Sequence, residues 1–266
     1  MLFPRIIPCL LVHKKGLVKT TKFKDPKYVG DPINTVKIFN EKEVDELIVL
    51  DIDATRQGYE PNYKMIEDLA VECRMPLCYG GGIKTLEQAQ RIFSLGVEKI
   101  ALSSVAVENP SQITKISERV GSQSVVVVLD VKKKLFGDKY ELYTHNGLKS
   151  SGIDAVQFSI DMQEAGAGEI LINSIDRDGF MDGYDYNLIK EINNVLEIPL
   201  TVLGGAGNID DIGLVIQQNG IIGVSAGSLF VFKGKYKAVL INYPSASEKA
   251  LLMEKYFLSG WGTVSR

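Results

Sequence analysis

Short apolar runs alternate along the chain with longer segments that place apolar residues at helical spacing. Each apolar run is too short for a helix and fits a strand buried in a sheet. The predicted strands begin near Ile6, Leu47, Pro76, Lys99, Ser124, Glu169, Pro199 and Ile221. The predicted helices between them cover 32–43, 61–73, 85–95, 110–120, 154–165, 186–196 and 209–218. This repeated alternation of strand and helix predicts an α/β fold, a single (β/α)8 TIM barrel.

An internal repeat favours the closed barrel over its alternative, an open doubly wound sheet. Three motifs of the first half recur in the second: 50–53 as 175–178, 80–83 as 204–207, and Ser104 as Ser228. The same 23 residues separate Gly81 from Ser104 and Gly205 from Ser228. The repeat predicts two-fold pseudosymmetry. We expect a barrel over 1–256, with half-barrels of about 1–121 and 122–244, an extra helix at 245–256 and a loose tail at 257–266. A small hairpin is predicted after strand five, at 140–147.

Composition narrows the class of protein. The chain has 266 residues, 45% of them hydrophobic and 24% charged, which is typical of an ordinary globular domain. No apolar run approaches the roughly 20 residues of a membrane span, and residues 1–5 lack signal-peptide features, so we expect a cytoplasmic protein without a membrane partner. The net charge of −3 gives no reason to expect nucleic acid. Cys9, Cys73 and Cys78 lack metal or redox spacing, so reduced thiols are expected, and no metal or cofactor is implied.

Asp130 is the first candidate for chemistry, because it ends the fifth predicted strand. Ligands of parallel α/β folds gather at the carboxyl ends of strands. When the first apolar run is aligned on the fifth, the position of Asp130 is occupied by Leu11. The two Gly-rich turns precede helices, and Ser103, Ser104 and Ser228 add hydroxyls at the following strand ends. These features predict two phosphate sites and a ligand with a phosphate at each end.

Several motifs together resemble HisF, the cyclase subunit of imidazole glycerol phosphate synthase. The resemblance runs from Arg5 to about Phe232 and includes Arg5-Ile-Ile-Pro-Cys-Leu, Gly80-Gly-Gly-Ile, Ala106-Val-Glu-Asn-Pro, Ser174-Ile-Asp-Arg-Asp-Gly and Gly204-Gly-Ala-Gly. It implies a (β/α)8 barrel that binds a substrate with two phosphates. It also implies that ammonia passes through the barrel from a glutaminase subunit docked on the bottom face.

The resemblance assigns roles to individual residues. It implies substrate or phosphate binding by Lys19, Asp51, Gly82, Ser103, Ser104, Asn173, Asp178, Gly179, Gly205, Gly227 and Ser228. It makes Asp130 one of two catalytic carboxylates, and Leu11 stands where the other belongs. Because leucine cannot transfer a proton, cyclase activity should fall by a factor of about 10²–10⁴. Asp51, Asp53 and His13 are candidates to replace the missing acid, although His13 is expected to be a solvated loop histidine.

Four charged residues stand at the starts of strands one, two, four and six: Arg5, Glu46, Lys99 and Glu169. This position puts them at the bottom of the barrel, where two cations and two anions can form a ring of ion pairs. The resemblance implies that the ring gates the passage of ammonia. Capping charges on strand starts are the alternative explanation.

The retained ring and the missing acid predict a HisF-like subunit of a glutamine amidotransferase system rather than a full cyclase. A subgroup with a Pro-Cys-Leu-Leu start and a loop similar to Lys19-Thr-Thr-Lys-Phe23 is associated with surface-sugar amidation, as in O-antigen synthesis. There a HisH-like glutaminase and a sugar amidotransferase are the implied partners, and an acetamido sugar becomes an acetamidino sugar. The alternatives are a genuine cyclase of histidine biosynthesis and a non-catalytic scaffold. A sugar-phosphate isomerase fits less well, because it also needs the missing acid.

Overall fold

Eight parallel strands form a closed barrel in the residues that the computed structural model describes, which are 2–134, 137 and 139–259. The strands are β1 Arg5–His13, β2 Leu47–Asp51, β3 Leu77–Gly80, β4 Lys99–Leu102, β5 Val125–Lys133, β6 Glu169–Ser174, β7 Leu200–Leu203 and β8 Gly223–Ala226. Each strand pairs with the next, and β8 closes the circle by pairing with β1, Arg5 opposite Gly223. The predicted (β/α)8 barrel is therefore confirmed, and every predicted strand start lies within two residues of the observed one.

The helices surround the barrel. The longer ones are α1 Pro32–Glu41, α2 Tyr63–Glu72, α3 Leu86–Ser94, α4 Ser111–Val120, α5 Ala155–Glu164, α6 Tyr186–Asn193, α7 Ile209–Asn219 and α8 Ala246–Met253. Capping side chains define several starts: Asp31 accepts from the backbone N–H of Asn34, and Thr85 forms a capping box. The sequence does not predict three short helices, because four or five residues are too few to show a helical spacing of apolar residues. These helices are Ala54–Gln57, Ser104–Glu108 and Ser228–Val231. None of the helices described for this chain is both long and apolar enough to cross a membrane.

Two antiparallel hairpins extend the sheet at the carboxyl ends of barrel strands β1 and β5. After β5, the strands Tyr140–Thr144 and Lys149–Asp154 continue the sheet, which confirms the predicted hairpin and adds one strand. After β1, Gly16–Thr21 pairs with Lys24–Gly30 in a hairpin that was not predicted. Lys19 therefore lies on a strand and is buried, whereas a loop position was expected.

The C-terminal segment remains helical beyond the predicted boundary. A π-helical turn, Glu254–Leu258, follows α8, and Phe257 is buried with its ring 5.9 Å from that of Phe3. The expectation that a loose tail begins at position 257 is therefore wrong at its start, because this apolar side chain packs on the barrel. Residues 260–266 of the predicted tail lie outside the described residues.

The barrel interior is organised in layers, because alternate side chains of each strand point inward. An aliphatic layer fills the middle, and it is separate from the core that lies between strands and helices. It consists of Ile7, Cys9, Ile48, Cys78, Ala101, Val126, Val128, Leu171 and Leu203, with Leu11 and Leu50 packed against it. Charged side chains lie below this layer, and a cavity opens above it.

Candidate functional site

The cavity lies at the carboxyl ends of the barrel strands, where α/β barrels carry their active sites. All twelve residues predicted for catalysis or for substrate and phosphate binding line it: Lys19, Asp51, Gly82, Ser103, Ser104, Asp130, Asn173, Asp178, Gly179, Gly205, Gly227 and Ser228. Their roles remain predictions, but a single space connects them. We call this cavity and its lining the mouth.

Among the carboxyl groups that line the mouth, Asp130 has the most strongly shifted pKa. Burial raises its pKa to about 7, with a smaller opposing effect from the hydrogen bond that Asn173 Nδ2 donates to Asp130 Oδ1 at 3.1 Å. The nearby carboxyl of Asp178 also raises this pKa. A carboxyl that titrates near neutral pH can give or take a proton under physiological conditions.

Leu11 contributes only a hydrocarbon surface to the mouth, beside Leu50. Among the suggested substitutes, Asp51 lines the mouth, and burial raises its pKa. Its Oδ1 accepts the backbone N–H groups of Asp53 and Ala54 at 2.9 and 3.2 Å. One of its two oxygens is therefore committed to the following turn.

His13 and Asp53 pair with each other and do not replace the acid that is missing at position 11. His13 Nδ1 lies 2.8 Å from Asp53 Oδ1, and Asp53 also accepts the backbone N–H of Lys14. Burial by itself would raise the pKa of Asp53, but these hydrogen bonds keep this pKa below its ordinary value. The expectation of a solvated His13 is wrong, since its side chain is only 22% exposed.

The two predicted phosphate sites have matching backbones. Ser103 (φ −119°, ψ −80°) and Gly227 (φ −104°, ψ −72°) precede the short helices that begin at Ser104 and Ser228. In the second half, Gly205 has φ +117°, and a Cβ there would lie 2.1 Å from the carbonyl oxygen of Gly183. Only glycine fits such a turn. Hydroxyls and helix-start N–H groups at equivalent places suit a ligand with two phosphates.

Lys19 and Asp178 lie between these parts of the mouth. Lys19 Nζ donates to the carbonyl oxygen of Cys9, and burial lowers its pKa. Gly227 leaves it room, because a Cβ there would lie 2.3 Å from Nζ. Asp178 accepts from Thr20 Oγ1 at 2.8 Å and from the backbone N–H of Phe23 at 3.1 Å, so it anchors the hairpin after β1 to the loop after β6. Burial raises the pKa of Asp178.

His145 and Asn146 are among the polar mouth residues that were not predicted as site residues. His145 and Asn146 come from the hairpin after β5, and both have positive φ, at +53° and +56°. Asn146 Nδ2 donates to the carbonyl oxygen of Ile52 at 2.7 Å, which links the hairpin to the loop after β2. The polar His-Asn-Gly sequence is part of the predicted hairpin at 140–147, but nothing in it indicates that the hairpin reaches the mouth.

The four charged residues at the strand starts meet in one closed ring below the aliphatic layer. Arg5 contacts Glu46 and lies 2.8 Å from Glu169, while Lys99 Nζ lies 2.9 Å from both glutamates. Thr201 joins the ring through Arg5 and Glu169. Although burial opposes it, Arg5 and Lys99 hold the pKa of Glu169 below its ordinary value. The ring thus brings two cations and two anions together at the strand starts, below the aliphatic layer.

The cysteines predicted to be reduced thiols have no disulfide partner among the described residues. Cys9 and Cys78 are free and buried in the barrel interior, and burial raises the pKa of Cys9 to about 11. No group of three or more His, Cys, Asp or Glu side chains in the described ranges could hold a metal ion.

Comparisons with known proteins find one matching family and several similar chains. The family described as "Histidine biosynthesis protein" matches residues 5–237. A relative from Vibrio vulnificus, provisionally named imidazole glycerol phosphate synthase subunit hisF3, is 61% identical over 96% of this chain and 98% of its own length. A relative from Leptospira borgpetersenii, provisionally named imidazole glycerol phosphate synthase subunit HisF, is 59% identical over 95% of this chain and 99% of its own length. A relative from Pseudomonas aeruginosa, provisionally named imidazole glycerol phosphate synthase subunit hisF2, is 51% identical over 92% of this chain and 97% of its own length.

Proposed function

Because the chain belongs to the histidine biosynthesis protein family, we propose that it acts as a HisF-like subunit of a glutamine amidotransferase system. In this proposal a HisH-like glutaminase docks on the bottom of the barrel and releases ammonia there. The ammonia crosses the barrel and leaves at the mouth. The barrel serves mainly as a conduit, and an associated enzyme uses the ammonia.

The combination of a complete ring with an incomplete acid pair carries the proposal. A closed set of two cations and two anions is expensive to desolvate, and hydrophobic residues at the same positions would stabilise a barrel at least as well. Its presence favours a role in passage. Leu2 and Phe3, before β1, and Ile221, before β8, expose apolar surface at the same end, which suits a protein partner.

The mouth supports reduced cyclase chemistry. Asp130 can exchange a proton near neutral pH, but Leu11 offers no second group, and Asp51 is partly engaged by backbone N–H groups. Cyclisation with cleavage needs one group that accepts a proton and another that donates one. Binding of a ligand with two phosphates is still supported by the matched sites at Ser104 and Ser228.

The acceptor of the ammonia is the finer part of the proposal. The Pro8-Cys-Leu-Leu11 start and the Lys19-Thr-Thr-Lys-Phe23 segment resemble proteins associated with sugar amidation. We therefore favour delivery to an amidotransferase that converts an acetamido nucleotide sugar to an acetamidino sugar for surface polysaccharide. The second candidate is a cyclase subunit of histidine biosynthesis, which the names of the relatives and the two phosphate sites favour.

Turnover of the aminoimidazole bisphosphate precursor with excess ammonium salt separates the two candidates. The native chain is expected to be nearly silent, whereas Leu11→Asp should gain turnover by restoring the second acid opposite Asp130. Leu50→Asp is the matched control, since it places the same carboxyl on the adjacent strand. Turnover by the native chain at an ordinary enzyme rate would instead support the histidine pathway.

Replacement of Lys99 by methionine tests the conduit. With the glutaminase and the amidotransferase present, the Lys99→Met variant should lose product formation from glutamine and keep product formation from ammonium salt. The ammonium-dependent rate shows that the amidotransferase is active, and the circular dichroism spectrum of the variant shows that the barrel is folded. An exposed lysine with two carboxylate partners, Lys64, provides the control Lys64→Met. Equal glutamine-dependent rates in both variants, or a glutaminase that does not bind the barrel, would contradict the proposal.

A further inference from the structure

Asn173 has a buried oxygen without a partner. The residue is 6% exposed, and its Nδ2 donates to Asp130, but its Oδ1 accepts no hydrogen bond from any described residue. Asn173 also lines the mouth. A buried amide oxygen usually has a donor in a native structure, so this atom points to a donor that binds from the cavity.

The position of this oxygen along the barrel axis is informative. Glu169, Leu171 and Asn173 lie on the inner face of β6. At about 3.3 Å per residue, Asn173 is about 13 Å from Glu169 along the strand, and less than that along the barrel axis because the strand is tilted. The aliphatic layer fills the space between them. Ser225 on β8 donates to the carbonyl oxygen of Ile7, but this residue is fully buried and is not among the residues that line the mouth. A molecule that rises from the ring along β5 and β6 therefore meets Asn173 and Asp130 as its first free acceptors.

The chemistry of the two residues selects the ligand. Asp130 Oδ1 accepts from Asn173 Nδ2, and Oδ2 accepts from no described residue. The pair therefore offers one carboxylate oxygen on β5 and one amide oxygen on the neighbouring strand β6, the latter near Gly204. Two acceptors, one of them charged, repel phosphates and carboxylates. They fit a small molecule with several N–H donors and positive or neutral charge.

We propose that Asn173 Oδ1 and the Asp130 carboxyl form a holding site for ammonia at the upper end of the barrel interior. This inference rests on the proposed conduit function. Ammonia that crosses the aliphatic layer in its neutral form takes the proton of the Asp130 carboxyl, so that an N–H bond forms as the O–H bond breaks. Return of the same proton releases neutral ammonia as a nucleophile.

The surroundings of Asp130 suit this exchange. Asn173 on β6, Asp178 in the loop after β6 and Cys9 on β1 are the neighbouring groups that interact with its charge, and Lys19 from the hairpin after β1 lies against Cys9. Burial together with Asp178 raises the pKa of Asp130 to about 7, close to the pH at which a reversible proton transfer is most useful.

The test follows the titration of Asp130 by ¹³C NMR of its carboxyl carbon in the isolated chain. Samples contain ammonium chloride or, at equal ionic strength, tetramethylammonium chloride, which has no N–H donor. Because ammonium binds the ionised carboxyl, it should lower the midpoint, by about 0.3 pH units at a concentration equal to the dissociation constant. Asp130→Asn assigns the signal. Identical midpoints in the two salts would overturn the proposal and leave water as the occupant of the site.

Two comparisons assign the binding to Asn173. Asn173→Leu keeps the shape of the side chain but should lose the difference between the salts, whereas Asn146→Leu makes the same change elsewhere at the mouth and should keep it. An undiminished difference in Asn173→Leu would exclude the amide oxygen. A comparison of ammonium salts on the native chain needs no variant. Methylammonium has one N–H donor fewer than ammonium, so it should shift the midpoint of the Asp130 titration less. An equal or larger shift would contradict donation by N–H groups.

Failure of this site and failure of the proposed function give different results. If glutamine-dependent product requires Lys99 but no ammonium-specific shift exists, the conduit stands and the holding site does not. If the shift exists but no glutaminase binds the barrel, the site stands and the proposed function falls.

Discussion

The replacement Asp130→Asn should stabilise the fold, and the gain should depend on pH. Burial raises the pKa of Asp130 from an ordinary value of 3.8 to about 7. Above pH 7 the folded protein must therefore hold a charge that the unfolded chain carries at lower free energy. Asparagine keeps the size of the side chain and can still accept from Asn173, but it carries no charge.

The magnitude follows from the linkage between protonation and folding. A rise of this size corresponds to about 4 kcal/mol, and because the mouth opens to solvent we expect about 2 kcal/mol for the variant. Below about pH 4 the carboxyl is protonated in both states, so the variant should gain nothing. The gain should grow as the pH rises to 7 and stay constant above that value.

Urea denaturation at pH 4, 5.5, 7 and 8 measures this dependence. Asp53→Asn is an informative control, since hydrogen bonds from Lys14 and His13 lower the pKa of Asp53 against the effect of burial. Its stabilising contribution is present above the ordinary pKa and lost as the pH falls through the lower value in the folded protein. This control should therefore destabilise the chain above about pH 4. A pH-independent effect of Asp130→Asn, or destabilisation at pH 8, would refute the reasoning.

Two further predictions concern the walls of the mouth. Gly205→Ala should cost more than about 2 kcal/mol in urea denaturation, because a Cβ would lie 2.1 Å from a backbone oxygen at φ +117°. Gly58→Ala, at φ +72° with no neighbour within 4 Å, isolates the strain alone and should cost about 1 kcal/mol; equal costs would contradict the steric argument. Thr20→Val removes the hydroxyl that donates to Asp178, so amide exchange in Lys24–Gly30 should accelerate while that in β5 does not; unchanged exchange in the hairpin would show that this bond does not anchor it.

The sequence predicted the barrel because its signals are local and repeated. The apolar run before Asp130 identifies a buried strand by itself, and the equal spacing of Gly81 from Ser104 and Gly205 from Ser228 identifies the repeat. The resemblance to HisF selected most of the twelve predicted site residues, and the barrel brings them to one end of its strands. No long-range contact is needed for this conclusion.

The errors arise where structure depends on distant partners. The strand Lys24–Gly30 is almost fully exposed and has no apolar alternation, so the hairpin that holds Lys19 left no pattern to detect. His13 pairs with Asp53, forty residues away in sequence, and nothing near His13 announces this contact. His145 reaches the mouth because its hairpin continues the sheet from β5.

The aliphatic layer between the ring and the mouth also acts as an electrical insulator. An ion placed there would lose its hydration without gaining a partner, so hydronium, hydroxide and ammonium face a high barrier that a small neutral molecule does not. The layer thereby prevents direct proton transfer between Asp130 above it and Glu46 or Glu169 below it. The two ends of one short barrel can thus exchange a small neutral molecule without exchanging protons.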